Sequence, residues 1–154
     1  MPLLFEIHHR VLHIIYRTLH DITDTIHTIA NAYEGVIPGR IGFNFPMRLV
    51  RKLHSTCNIA KYDADYVIVY KKGDIATKRH EVQHAKYDMD PVFKKDVQRL
   101  WDSFSAQMQE KVHSTLRRMN YPVDSLSERQ GVQSLLLDEF QAYYFTEKKN
   151  FFES

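Results

Sequence analysis

The chain has 154 residues, of which 44% are hydrophobic and 26% charged, and its formal net charge is +2. This is the composition of one soluble globular domain that buries roughly two-thirds of its unfolded surface, and the charge is too mild to argue for a nucleic-acid partner. Cys57 is the only cysteine, which excludes an intrachain disulfide and a cysteine-based zinc site, so any metal must be held by His, Asp or Glu.

Pro2, Leu3, Leu4 and Phe5 open the chain on an apolar note, but Glu6, His8, His9 and Arg10 interrupt it before a signal-peptide core forms. No stretch approaches about 18 uninterrupted apolar residues, so no membrane span is expected. The expectation is an intracellular soluble protein.

Residues 3–33 are predicted to form one long helix. Ile7, Val11, Ile14, Thr18, Ile22, Ile26, Ile29 and Tyr33 recur every three or four positions and make an apolar stripe. Gly35, Pro38 and Gly39 end it. On that helix His13, His20 and His27 fall every seven residues, a pattern expected of a solvated polar stripe rather than a second metal site. Residues 41–45 suggest a short strand, and a basic helix with Arg48, Arg51 and Lys52 is expected after Pro46.

Residues 62–70 carry the strongest strand signal, with Tyr66, Ile68 and Tyr70 alternating with Val67 and Val69. Lys71-Lys72-Gly73 closes the strand with a turn. Asp74 is the predicted N-cap of a helix over 75–87. Asp90-Pro91 breaks the chain and starts another helix, predicted to run to about residue 120, with Val92, Phe93, Val97, Leu100, Trp101, Phe104, Met108 and Val112 on its buried stripe. Tyr121-Pro122 is a boundary, and a last helix is expected over 127–148, capped by Ser127. No repeat or linker divides the chain, so residues 1–154 are expected to form a single domain.

The chemistry is concentrated in His80-Glu81-Val82-Gln83-His84. Histidines at i and i+4 share one helical face, so two neutral imidazoles can reach one ion. Glu81 cannot easily share that ion, but it can reach a water acidified by the metal and accept its proton as general base. Two incidental histidines on a surface helix are the bland alternative, so the context has to decide. The motif follows a strand directly. Downstream, Asp138 and Glu139 stand among Leu135, Leu136, Leu137 and Phe140. An acidic pair inside an apolar helix calls for a buried partner, and a metal is one.

These residues resemble the zincin metallopeptidases, over residues 62–90 and 135–146. The resemblance implies an α+β fold: a mostly helical zincin-like domain with a small antiparallel or mixed sheet packed on the HExxH helix. It implies a zinc cofactor and a peptide or protein substrate pairing with the edge strand before that helix, which here is residues 66–70. Catalytic zinc takes three protein ligands and keeps one position open. In the gluzincin pattern the third ligand is a glutamate on a later helix, the place of Glu139. There an aspartate four residues on often orients a histidine. Tyr143 occupies that place here, leaving the role to Asp138. In the metzincin pattern the third ligand follows the second histidine by six residues, which is Asp90, but Tyr87 replaces the glycine of the turn. SprT-like proteases share Ala85 after the motif, yet no histidine lies between His84 and His113 to complete their site.

Tyr143 and Tyr144, one turn past Glu139, are candidate donors to an oxyanion. The expected function is zinc-dependent hydrolysis of peptide bonds, with His80, His84 and Glu139 on the metal and Glu81 as base. The rivals are a non-catalytic binding or structural protein on the same scaffold and a DNA-associated protease of SprT-like type.

Overall fold

A computed structural model describes residues 3–123 and 132–153. Among these residues four strands and six helices make an α+β fold. The strands are β1 (Leu3–His8), β2 (Val11–Tyr16), β3 (Phe43–Pro46) and β4 (Tyr66–Lys71). The helices are α1 (Asp24–Glu34), α2 (Met47–Leu53), α3 (Ile75–Met89), α4 (Pro91–Ser103), α5 (Ala106–Arg118) and α6 (Val132–Thr146).

The predicted first helix is instead a β-hairpin followed by a shorter helix. β1 and β2 pair antiparallel from Leu3↔Tyr16 to His8↔Val11. His9 and Arg10 turn between them with φ of 50° and 67°, the left-handed pair that a two-residue hairpin demands. Arg10 holds the turn down through hydrogen bonds to Asp63 and Asp65. The helical stripe misled because β2 is buried on both faces. Leu12, Ile14 and Tyr16 face the core under α1, while Val11 and Ile15 face the opposite side. A strand covered on both faces loses the polar–apolar alternation that marks a half-buried one. His13, His20 and His27 consequently share no face: His13 is on β2 with Nδ1 2.9 Å from the Tyr70 hydroxyl, His20 is in a 3-10 turn, and His27 is on α1, edge-on to Phe43.

The sheet order is β1-β2-β4-β3, with β2 and β4 parallel and the other two pairs antiparallel. β4 is therefore an interior strand. Tyr66, Val67, Ile68 and Val69 pair with β2 on one side and β3 on the other, so the expectation of a substrate added along residues 66–70 is corrected: those backbone groups are already used. A nearly continuous apolar run, buried on both faces, is the signature of a central strand. The edges of the sheet are β1 and β3.

α1 and α2 cover one face of the sheet through Ile26, Ile29, Ala30 and Val50, and α3 covers the other through Ala85. Beyond α3, the last three helices close a second core around Trp101, Val112, Leu116, Leu137 and Phe140. Asp90 caps α4 as its position suggested, accepting hydrogen bonds from the backbone of Val92 and Phe93. The single helix expected from Pro91 to about residue 120 is two. Phe104 is extended, and Ser105 caps α5 by accepting from the Met108 amide at 3.1 Å. The break folds α5 back, so that Trp101 and Val112 join one core. Ser127, the expected cap of the last helix, lies outside the described residues. No helix among the described residues is long and apolar enough to cross a membrane.

Candidate metal centre

The centre is built where α3 meets α6. Asp74 starts α3, its carboxylate accepting from the Thr77 backbone at 3.0 Å and the Thr77 hydroxyl at 2.6 Å. One and a half turns on, His80, Glu81 and His84 face inward, and Glu81 and His84 are buried. From α6, Asp138 and Glu139 approach, both without solvent contact of consequence.

His84 Nδ1 donates to Asp138 Oδ1 at 2.8 Å. That bond commits the other nitrogen, Nε2, to the centre, where it stands 3.3 Å from His80 Nε2 and 3.5 Å from Glu139 Oε2. The ligand atoms of His80, His84 and Glu139 all lie within 4.8 Å of one another. A tetrahedral ion with ligand bonds of about 2.0–2.1 Å needs ligand atoms about 3.3 Å apart, so the 3.3 and 3.5 Å separations suit one small cation. A second observation agrees: both Glu139 carboxylate oxygens are buried, beside the carboxyls of Glu34 and Asp138. An uncompensated buried carboxylate is strongly unfavourable, and a cation between it and the two imidazoles removes that penalty. The residues present therefore fit a metal ion; the donor set alone does not select zinc over its neighbours.

The protonation pattern in the absence of a cation is frustrated. Burial, with the charge of His84, drives the His80 pKa down to about 3. Burial also pulls His84 down, but Asp138, Glu139 and Glu81 outweigh it and hold its pKa well above the usual histidine value. Burial pushes Glu139 well up, with His84 opposing and Glu34 and Asp138 adding to the rise. Glu81 is pushed up to about 8, chiefly by burial, with His84 opposing.

Beside this group a cleft of about 290 Å³ opens, lined by Glu34, Gly42, His80, Glu81, Tyr121 and Tyr143 among others. Gly42 is required there: a Cβ on it would stand 2.6 Å from Thr77 Cγ2 and 3.1 Å from the Glu81 carboxyl. Tyr143 lies with its ring centroid 4.4 Å from that of His80, and its hydroxyl is 2.8 Å from that of Tyr121. Tyr144 points elsewhere. Its ring is partly exposed and packs on Phe104, Phe140 and Phe145 at the outside of the second core, away from the cleft, because consecutive helical residues diverge by about 100°. Asp90 is occupied at the α4 cap and is not part of the His80–His84–Glu139 group.

Sequence reasoning missed four residues. Asn44 on β3 donates through Nδ2 to Glu34 Oε1 at 3.2 Å and Glu81 Oε2 at 3.4 Å, while the Tyr66 hydroxyl donates to Asn44 Oδ1 at 2.6 Å. Gln141 locks the two helices, donating to the Gln83 carbonyl and to Asp138 while accepting from Gln83 Nε2. Tyr121 supplies the second hydroxyl, and Glu34 a further buried carboxyl. Asn44 and Gln141 were visible as polar residues inside apolar segments, and Glu34 continues the buried face of Ala30 one turn on. Tyr121 left no signal.

Comparison with protein-family models, curated proteins and solved structures finds no match to this chain.

Proposed function

We propose that this protein is a zinc-dependent peptidase of the zincin type, with His80, His84 and Glu139 as metal ligands and Glu81 as general base. One observation carries the reading. Three ligand atoms on two helices converge within 4.8 Å of one another, two of their separations matching a tetrahedral site, and Glu81 faces the same cleft without belonging to the ligand group. No fourth described residue joins that group, which supports a site with an open position rather than a closed structural one.

Zinc at this position supplies a Lewis acid that polarises a substrate carbonyl and acidifies a water. Glu81 takes the proton of the attacking water and hands it to the leaving amine. Its position is held by Asn44 and by the space left at Gly42. Asp138 keeps His84 in the tautomer that directs Nε2 to the centre. The Tyr143 and Tyr121 hydroxyls stand at the cleft and donate to the oxygen that gains charge. With β4 interior, the substrate lies along residues 39–42, which line the cleft and lead into β3 at the sheet edge.

The deciding experiment joins metal analysis to a peptide-cleavage assay. Wild type should carry one zinc per chain and cleave. Glu81→Gln should keep the zinc and lose cleavage, whereas His80→Ala should lose both. Cleavage that survives Glu81→Gln refutes the mechanism. Zinc without cleavage in the wild type favours a binding or structural protein on this scaffold.

A further inference from the structure

The sheet has two edges of different character. β3 is four residues long and finishes at Pro46. β1 has six residues in unbroken register with β2, and it holds no proline, lysine or bulge, the usual means of blunting an edge. The two-residue turn at His9-Arg10 makes its flanking residues, His8 and Val11, a hydrogen-bonded pair. Bonded and unbonded pairs alternate from there. Leu4, Glu6 and His8 therefore turn their amides and carbonyls toward β2, while Leu3, Phe5 and Ile7 turn theirs outward. No described residue takes a backbone hydrogen bond from those outward groups.

The side chains of this edge are apolar as well. Leu4 is 51% exposed and Ile7 45%. A groove of about 440 Å³ lies beside the strand, lined by Leu3, Phe5, Ile26, Cys57 and Ile59, with threonines and Asn58 between them and no charged residue. An occupant that suits it is a neutral, apolar strand. β1 is itself such a strand. Leu3, Phe5 and Ile7 share the sheet face of Leu12, Ile14 and Tyr16, the face on which the groove lies.

We propose that β1 pairs antiparallel with β1 of a second copy of this chain, joining the two sheets into one across a twofold axis at Phe5. Backbone complementarity sets the register. Within β1 each copy offers outward groups at Leu3, Phe5 and Ile7. One alignment engages all three at once: Phe5 opposite Phe5 of the second copy, and Leu3 opposite its Ile7. Opposed residues of an antiparallel pair share a face, so Ile7 of the second copy comes to lie over Leu3 at the groove and is covered. Glu6 falls opposite Leu4 rather than opposite the second Glu6, so like charges do not confront each other directly. The metal cleft is bordered by residues 39–42, which lead into β3 at the other edge, and it stays open in the dimer. The pairing is independent of the peptidase reading.

Sedimentation velocity of the full chain tests this. Pairing over so short an edge gives a reversible dimer, which should appear between about 1 and 200 μM. Wild type that stays monomeric at the highest concentration overturns the proposal, and this measurement needs no variant to fold. Ile7→Pro removes one outward amide and no hydrogen bond between β1 and β2, so it should weaken dimerisation about tenfold or more while leaving the circular dichroism unchanged. Ile7→Lys should act alike by placing a charge on the edge. A dimer that both variants leave intact forms through another face, and the proposal fails. Cross-linking then checks the register in a Cys57→Ser background. Phe5→Cys sets two thiols across the axis with Cα atoms about 5.5 Å apart, within disulfide reach, and mild oxidation should join most of the dimer. Ile7→Cys sets them about 14 Å apart along the strands and should not. Cross-linking through Ile7→Cys, or none through Phe5→Cys in a variant that still dimerises, overturns the register.

Discussion

Asp138 Oδ1 accepts a hydrogen bond from His84 Nδ1 at 2.8 Å, with both side chains about 1% exposed. The bond joins α6 to α3 and decides which histidine nitrogen faces His80 and Glu139. Replacing Asp138 by Asn keeps the shape and removes the charge. Zinc affinity should fall about 10- to 100-fold, read by competition with a chromophoric chelator. An unchanged affinity would contradict the orienting role.

Glu139→Gln should have opposite effects with and without metal. In metal-free protein it removes a buried carboxyl crowded by those of Glu34 and Asp138, so the thermal midpoint should hold or rise. In wild type, zinc at about 100 times its Kd should add about 2.7 kcal/mol, which for a chain of this size raises the midpoint by roughly 5–11 °C. The variant should lose that gain. Thermal scans with zinc and with chelator check both halves.

Zinc binding should strengthen as pH rises. In metal-free protein the His84 pKa stands well above its usual value because neighbouring carboxylates outweigh burial, and a protonated imidazole cannot ligate. Zinc must displace that proton, so affinity increases through neutrality and continues upward until His84 is neutral in the metal-free form. Chelator titrations from pH 6 to 9, with proton release measured in parallel, test this. A flat profile would refute it.

Acid should destabilise the metal-free fold through His80. Its folded pKa of about 3 lies below the ordinary 6.5, mainly because it is buried. The unfolded chain therefore takes up the proton first. The contribution is fully present above pH 6.5 and is lost as pH falls from there toward 3. His80→Gln should flatten this limb in denaturant melts, by a few kcal/mol across the window.

Gly42→Ala should separate metal binding from catalysis. The new methyl would meet Thr77 and Glu81 at 2.6 and 3.1 Å, displacing the base while leaving His80, His84 and Glu139 alone. Zinc content should be unchanged and kcat/KM lowered about 100-fold, the usual consequence of moving a reacting group by about 1 Å. Full activity would show that Glu81 tolerates the shift or is not the base.

What the sequence determined by itself was local. The i,i+4 spacing of His80 and His84, the Asp74 and Asp90 caps and the acidic pair on α6 all depend on neighbours within a turn or two, where spacing dictates geometry. Only the tertiary structure decided the rest. The first segment is a hairpin because the sheet and its two helical layers bury β2 on both faces, which erases the alternation a strand would otherwise display. β4 is interior because β3 and β2, distant in sequence, close on its two sides. Glu34, Asn44 and Tyr121 reach the cleft from three separate segments. Such meetings are set by packing between elements far apart in the chain, and no periodicity within a single element records them.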